Sequence, residues 1–200
     1  MTTRLQLRTQ LRLRLEDTAL TPLWPDNQLN DALWTAMIRL SSRLPAEATL
    51  PLSIAGNVRS VAAGIDLPRA RIIRVLDQRG EPVPESQSPG SDSTLTWRWW
   101  ENTLVLSREL GAGATWSIEY RTVRTMPTDD VSTVQLSVED EPILIAFAME
   151  TVLRTRAVEE MKRNGNSRPA LALAESAMAE AERQIRARRR TVQSRYPVPM

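Results

Sequence analysis

The hydrophobic period changes twice along this chain of 200 residues, and those two changes constrain its architecture more than any motif does. Residues 4–44 carry apolar side chains every three or four positions. Residues 50–123 carry them in short alternating runs broken by Gly, Pro and Asn. From about 141 to 190 the three-to-four spacing returns. A helical period does not pack as a strand, nor the reverse. The chain is therefore expected to be α+β: a bundle of about four helices with an inserted antiparallel β domain and an extended C-terminal tail. The expected boundaries are 1–50 for an N-terminal helical pair, 51–123 for the β domain, 124–190 for the helices that complete the bundle, and 191–200 for the tail.

Local signals support each part. Leu7, Leu11 and Leu15 share one helical stripe, with Arg4, Arg8 and Arg12 beside it. Asp26 after Pro25 is placed to cap a second helix, whose Leu29, Leu33, Met37, Leu40 and Leu44 repeat until Pro45 stops them. In the middle, Leu52, Ile54, Val58, Val61, Ile65 and Leu67 sit among small and polar residues. Strands are predicted at 71–76, 95–99, 103–106 and 115–120. Turns are predicted at Asp77-Gln78-Arg79-Gly80, at Asn102 and at Gly111-Ala112-Gly113, the last as a hairpin. Residues 81–93, rich in Pro, Ser and Gly, read as a loop. Glu139-Asp140-Glu141-Pro142 opens a strongly apolar third helix that Asn164-Gly165-Asn166 ends. In the fourth helix Leu171, Ala174, Met178, Ala181 and Ile185 form the expected packing seam against the third.

Composition limits the chemistry. His and Cys are both absent, which removes disulfides, thiolate metal sites and His-based catalysis. No catalytic, cofactor or metal site is expected, and the chain is read as a non-enzyme. The carboxylates Asp129, Asp130, Glu139, Asp140 and Glu141 are the one set that could serve a hydrolase or magnesium site. Loop solvation and a helix N-terminus account for them more simply. Trp97, Trp99 and Trp100, with Arg98 between them, could stack nucleic-acid bases, against the simpler reading of one core face and one covered edge. No run is long and apolar enough for a membrane span. The opening Met1-Thr2-Thr3-Arg4 lacks the apolar stretch of a signal peptide, so the cytoplasm is the expected place of synthesis.

The bases are 26 in number, and all but Lys162 are arginine. They crowd the C-terminus as Arg183, Arg186, Arg188, Arg189, Arg190 and Arg195. The apolar, proline-bearing Tyr196-Pro197-Val198-Pro199-Met200 follows directly. Three uses are open for this end: a solvated helix terminus, docking into an acidic groove of a partner, or contact with DNA phosphate. The expected docking set is Arg186, Arg188, Arg189, Arg190, Arg195 and Tyr196 to Met200.

The order of parts resembles the head–tail adaptor, or connector, proteins of tailed bacteriophages. Leu11-Arg12-Leu13-Arg14-Leu15-Glu16-Asp17, a short loop, and Trp24-Pro25-Asp26-Asn27-Gln28-Leu29 are similar to the family's opening helices. Ile65-Asp66-Leu67-Pro68 with Arg71-Ile72-Ile73-Arg74-Val75 resembles the start of its β portion. Trp116-Ser117-Ile118-Glu119-Tyr120-Arg121 resembles its last strand. The resemblance implies a structural virion protein at the head–tail junction: a ring of twelve subunits below the portal protein that extends the DNA channel and gives tail or neck proteins a docking surface. It also implies C-terminal segments that reach along the portal, and non-specific passage of duplex DNA. The alternatives are a non-ring neck or tail-completion protein and, further off, a DNA-binding regulator.

Overall fold

The computed structural model describes residues 2–53, 56, 58–86, 95–111 and 113–195. In chain order its elements are β1 (Thr2–Thr3), α1 (Arg4–Arg14), α2 (Asp26–Arg43), β2 (Ala46–Ser53), β3 (Val58–Ala62), β4 (Ile72–Leu76), β5 (Pro82–Val83), β6 (Trp97–Trp100), β7 (Thr103–Leu110), β8 (Thr115–Thr122), β9 (Thr133–Val134), α3 (Glu141–Asn164) and α4 (Arg168–Arg195). The fold is α+β. It divides into a helical unit, residues 1–45 with 123–200, and a β unit, residues 46–122. The β unit thus begins five residues earlier than its alternation suggests. The reason is register. Ala46 pairs with Thr122 at the open end of β2 and β8, so the chain enters and leaves the unit on adjacent antiparallel strands.

In the helical unit, α1 starts on a capping box. The Gln6 amide donates to Thr3 Oγ1 at 3.3 Å, and the Thr3 amide donates to Gln6 Oε1 at 2.9 Å. It ends on a Schellman motif. Glu16, at φ 56°, donates its amide to the Leu13 carbonyl, and Asp17 donates to the Arg12 carbonyl. Leu7 and Leu11 are buried and Leu15 packs against the same core. α3 is the central helix, packed by α1, α2 and α4. Its residues 143–148 are all buried, which explains why its sequence is apolar nearly all round. Pro142 lies in its first turn and Gly165, at φ 70°, closes it. The pairing of β1 with β9, Thr2 with Val134 and Thr3 with Thr133, ties the start of α1 to the 124–140 segment. Two-residue strands have no period, so sequence reading missed them.

Two expectations for this unit need correction. Asp26 does not cap α2. Pro25 occupies the cap without a side-chain bond, and the Asp26 carboxylate turns instead to Arg12 and Arg8. The tail does not begin at 191, because α4 continues helical to Arg195. Those five residues advance about 7.5 Å, not the ~17 Å of extended chain. Tyr196, Pro197, Val198, Pro199 and Met200 lie outside the described residues.

The β unit holds two sheets, ordered β2-β8-β4-β5 and β3-β7-β6, around one core. Leu52, Ile72, Val75, Trp116 and Ile118 come from the first sheet, and Trp97, Leu104 and Leu106 from the second. The turn at Gly111 and Gly113 is not a hairpin: β7 and β8 belong to different sheets. Pairing them would put both apolar faces on one sheet and leave them uncovered, so the chain arches across. The turn between β6 and β7 does match expectation. Glu101 at φ 44° and Asn102 at φ 58° form a two-residue loop with both angles positive, the type I′ geometry that suits strand twist. The Asn102 carbonyl oxygen Oδ1 also accepts the Leu67 amide at 3.0 Å. Residues 81–86 are not a free loop. β5 pairs with β4, Glu85 bridges to Trp97, and Trp97 Nε1 donates to the Val83 carbonyl at 2.8 Å. The rest of the predicted loop, 87–93, lies outside the described residues.

Candidate assembly surfaces

Three arginines of α1, Arg4, Arg8 and Arg12, turn to carboxylates of their own unit, while Arg14 is exposed. Arg4 Nε lies 2.7 Å from Asp130 Oδ1, and Arg8 Nη2 2.8 Å from Asp130 Oδ2. Arg8 also donates to Asn30 Oδ1 at 3.1 Å. Arg12 reaches Asp17 and Asp26, each at 2.6 Å, and the Trp24 carbonyl at 2.9 Å. The buried Asp17 carboxylate takes the Leu23 amide as well. This ladder fastens the 17–25 loop and the 127–133 loop to the helices. Asp130, one of the five carboxylates singled out above, is thus held by arginines. The hydrogen bonds from Arg8 and then Arg4 hold the Asp130 carboxyl below its ordinary pKa. Asp129 is held low by Ser132, and its Oδ1 accepts the amides of Ser132 and Val131. Among the described residues no cluster of His, Cys, Asp or Glu is arranged to hold a metal ion.

A second network joins the start of α3 to the end of α4. Asp140 is buried. Its Oδ2 lies 2.9 Å from Arg124 Nη2 and its Oδ1 3.3 Å from Arg188 Nε; Arg188 also pairs with Glu139. Arg124 Nε donates to the Leu44 carbonyl at 3.1 Å, and its amide donates to Ser41 Oγ at 3.0 Å. Buried Glu150 takes Arg39 from α2 and Arg154 from its own helix. Such pairs fix which helix ends meet, because an unpaired buried charge costs far more than the pair gains.

These contacts redistribute the expected docking set. Arg188 is engaged inside the fold and is not a free docking residue. Arg189 donates to the Arg43 carbonyl at 3.1 Å while remaining exposed. Arg186 is exposed and carries no ion pair among the described residues. The side chains of Arg190 and Arg195, with Tyr196 to Met200, lie outside the described residues. Of the expected seam, Ala174, Ala181 and Ile185 are fully buried and Met178 packs against the same core. Leu171 does not belong: it is 37% exposed, and Ala170 and Ala177 fill the stripe instead. Ala170, Ala174, Ala177, Ala181 and Ile185 step by four, three, four and four, the spacing of one helix face. Leucine drew the sequence reading to the wrong turn. The small residues do the close packing.

The tryptophan cluster of the β unit is mostly core. Trp97 is buried, with the Arg69 guanidinium 4.9 Å from its ring centre. Trp99 is half-buried and donates its indole to the Leu67 carbonyl at 2.9 Å. Trp100 alone is exposed, with Arg98 at 5.9 Å. A stacking platform needs several exposed rings in a row, and these alternate in and out.

Among the described residues, two apolar surfaces of the helical unit stand out as uncovered. One is a groove of about 730 Å³ between α1, the start of α3 and α4. Leu13, Val138 and Leu173 on its rim are exposed, and Ile145, Ala146 and Met149 floor it. The other is the outer ridge of α2, where Trp34 is 49% and Ile38 55% exposed. Three separate segments build the groove, so no spacing within one of them reveals it.

No protein-family model matches the chain, and no curated protein matches it. Among the described residues no helix is long and apolar enough to cross a membrane.

Proposed function

We propose that this chain is a subunit of a ring-shaped head–tail adaptor of a tailed bacteriophage, lying below the portal protein, lengthening the DNA channel and offering tail or neck proteins a docking surface. The observation that carries the reading is the pair of separate, exposed apolar surfaces on one helical unit. A protein that works alone gains nothing from a tryptophan–isoleucine ridge on the outside of a helix and an apolar groove elsewhere; a subunit with neighbours on two sides does. The order of parts supports it too: a helical unit interrupted by a β unit and finished by a long arginine-rich helix, as the adaptor resemblance implies. Ring formation follows from a repeated contact between unlike surfaces, with no catalytic step.

On this reading DNA passes through the lumen without being read. Arg188 is neutralised by Glu139 and Asp140, which takes one of the described C-terminal cations away from phosphate. Weak, salt-sensitive, sequence-independent duplex binding is expected. The test is the mass of the purified protein by light scattering, alone and with portal protein. A closed assembly of defined subunit number supports the adaptor. A monomer that never joins portal, or one that selects a DNA sequence, refutes it and favours the non-ring or regulator alternatives.

A further inference from the structure

Resting on the ring reading, we propose that the α2 ridge of one copy seats in the α1–α3–α4 groove of the next. Three observations choose this occupant. The first is position. At about 100° per residue, Leu29, Leu33, Ala36, Met37 and Leu40 face the core, Asp31 and Ile38 face nearly directly away, and Trp34 lies on the outer flank beside them. None of the three belongs to the core cluster of its own unit. No residue of α2 lines the groove, so ridge and groove are distinct surfaces. Distinct surfaces make a heterologous contact, the kind that repeats around a ring.

The second observation is size. The groove runs along α4 from Leu173 to Gln184, about 16 Å at the helical rise. The ridge from Asp31 to Ile38 spans about 10 Å and fits within it. Its centre is a tryptophan, the residue type that most often anchors a protein interface.

The third is charge. In the groove wall Glu180 is paired with Arg183, and Glu141 accepts the Thr2 hydroxyl. Arg14 is exposed there with no ion pair or side-chain hydrogen bond among the described residues. On the ridge, Asp31 is likewise exposed and unpaired. Arg14 on the groove and Asp31 on the ridge are thus opposite charges that each lack a counter-ion among the described residues, while Glu141 keeps its negative charge, which a hydroxyl does not neutralise.

The experiment uses the full chain and four exposed positions. Trp34→Asp with Ile38→Asp disables the ridge; Leu13→Asp with Leu173→Asp disables the groove. Both double variants should keep the parent circular dichroism spectrum and melting curve, because all four side chains are about half exposed or more. By light scattering the parent should form large assemblies and each variant should be monomeric. An equimolar mixture should form a dimer and nothing larger, since one intact ridge can meet one intact groove only once. Parent rings with unaffected variants would overturn this interface and leave the ring reading standing. Loss of assembly in the groove variant alone would place some other segment in the groove and equally overturn it. A parent that never self-associates would remove this interface, and the ring would then have to be sought on the portal.

Discussion

Replacing Asp140 with alanine is the perturbation whose cost the structure specifies most fully. The carboxylate is 2% exposed and holds two guanidinium groups, Arg124 at 2.9 Å and Arg188 at 3.3 Å. Arg188 keeps Glu139 when Asp140 is gone. Among the described residues the Arg124 side chain then keeps the Leu44 carbonyl and no carboxylate, and it is 11% exposed. The variant therefore leaves one buried cation without a counter-charge. Breaking a buried pair from one side costs about 3–5 kcal/mol. The lower end applies here, because Arg188 is repaired by Glu139. For a chain of this size each kcal/mol lowers Tm by about 2–4 °C, so about 3 kcal/mol predicts a drop of about 6–12 °C. The assay is thermal unfolding followed by circular dichroism at the helical band. Asp140→Ala with Arg124→Met should recover much of the loss, since removing both charges removes the unpaired one. A single variant within about 2 °C of the parent, or a double variant worse than the single, would refute the assignment of Asp140 and Arg124 as the tie between α2 and α3.

Ala181→Glu puts a charge at a fully buried seam position and should cost more than about 4 kcal/mol, read as loss of the cooperative helical transition in urea. Leu171→Ser, off the seam, should cost less than about 1 kcal/mol in the same assay. Asp130 has a depressed pKa in the folded chain, so its contribution is present above the unfolded carboxylate pKa and is lost as pH falls through the folded value. Asp130→Asn should flatten the acid limb of stability below about pH 4 and leave the slope near neutrality unchanged, as urea midpoints across that range would register. Asn102→Ala should weaken the β unit by about 1–3 kcal/mol, because it loses the left-handed turn preference and strands the Leu67 amide, whereas Asn102→Gly should lose the hydrogen bond and keep the turn.

What the sequence disclosed follows from what periodicity can carry. The α+β class was legible from Leu7, Leu11 and Leu15, from Leu29 to Leu40, and from the alternation around Trp97, because each signal lies within one element. The Glu101-Asn102 turn was legible because its geometry is local. The sheet change after β7 was not: Gly111 and Gly113 suit a hairpin and an arch equally, and only the shared core decides. Leu171 misled because a leucine weighs more in a pattern than the alanines at 170 and 177, although alanines permit the closer approach of α3 and α4. The arginines of α1 read as a stripe; their carboxylates lie more than a hundred residues away for Arg4 and Arg8, beyond any spacing rule. The groove escaped for the same reason, being assembled from α1, α3 and α4. The ridge escaped as well, because the exposure of Trp34 and Ile38 depends on which face of α2 is inside.

Averaged electron micrographs of this protein mixed with a portal protein would show whether the proposed adaptor ring forms. The expected image is a closed ring coaxial with the portal, built of twelve subunits, with an open lumen wide enough for duplex DNA. Isolated monomers on the portal flank, an open helical chain, or no bound density at all would contradict it.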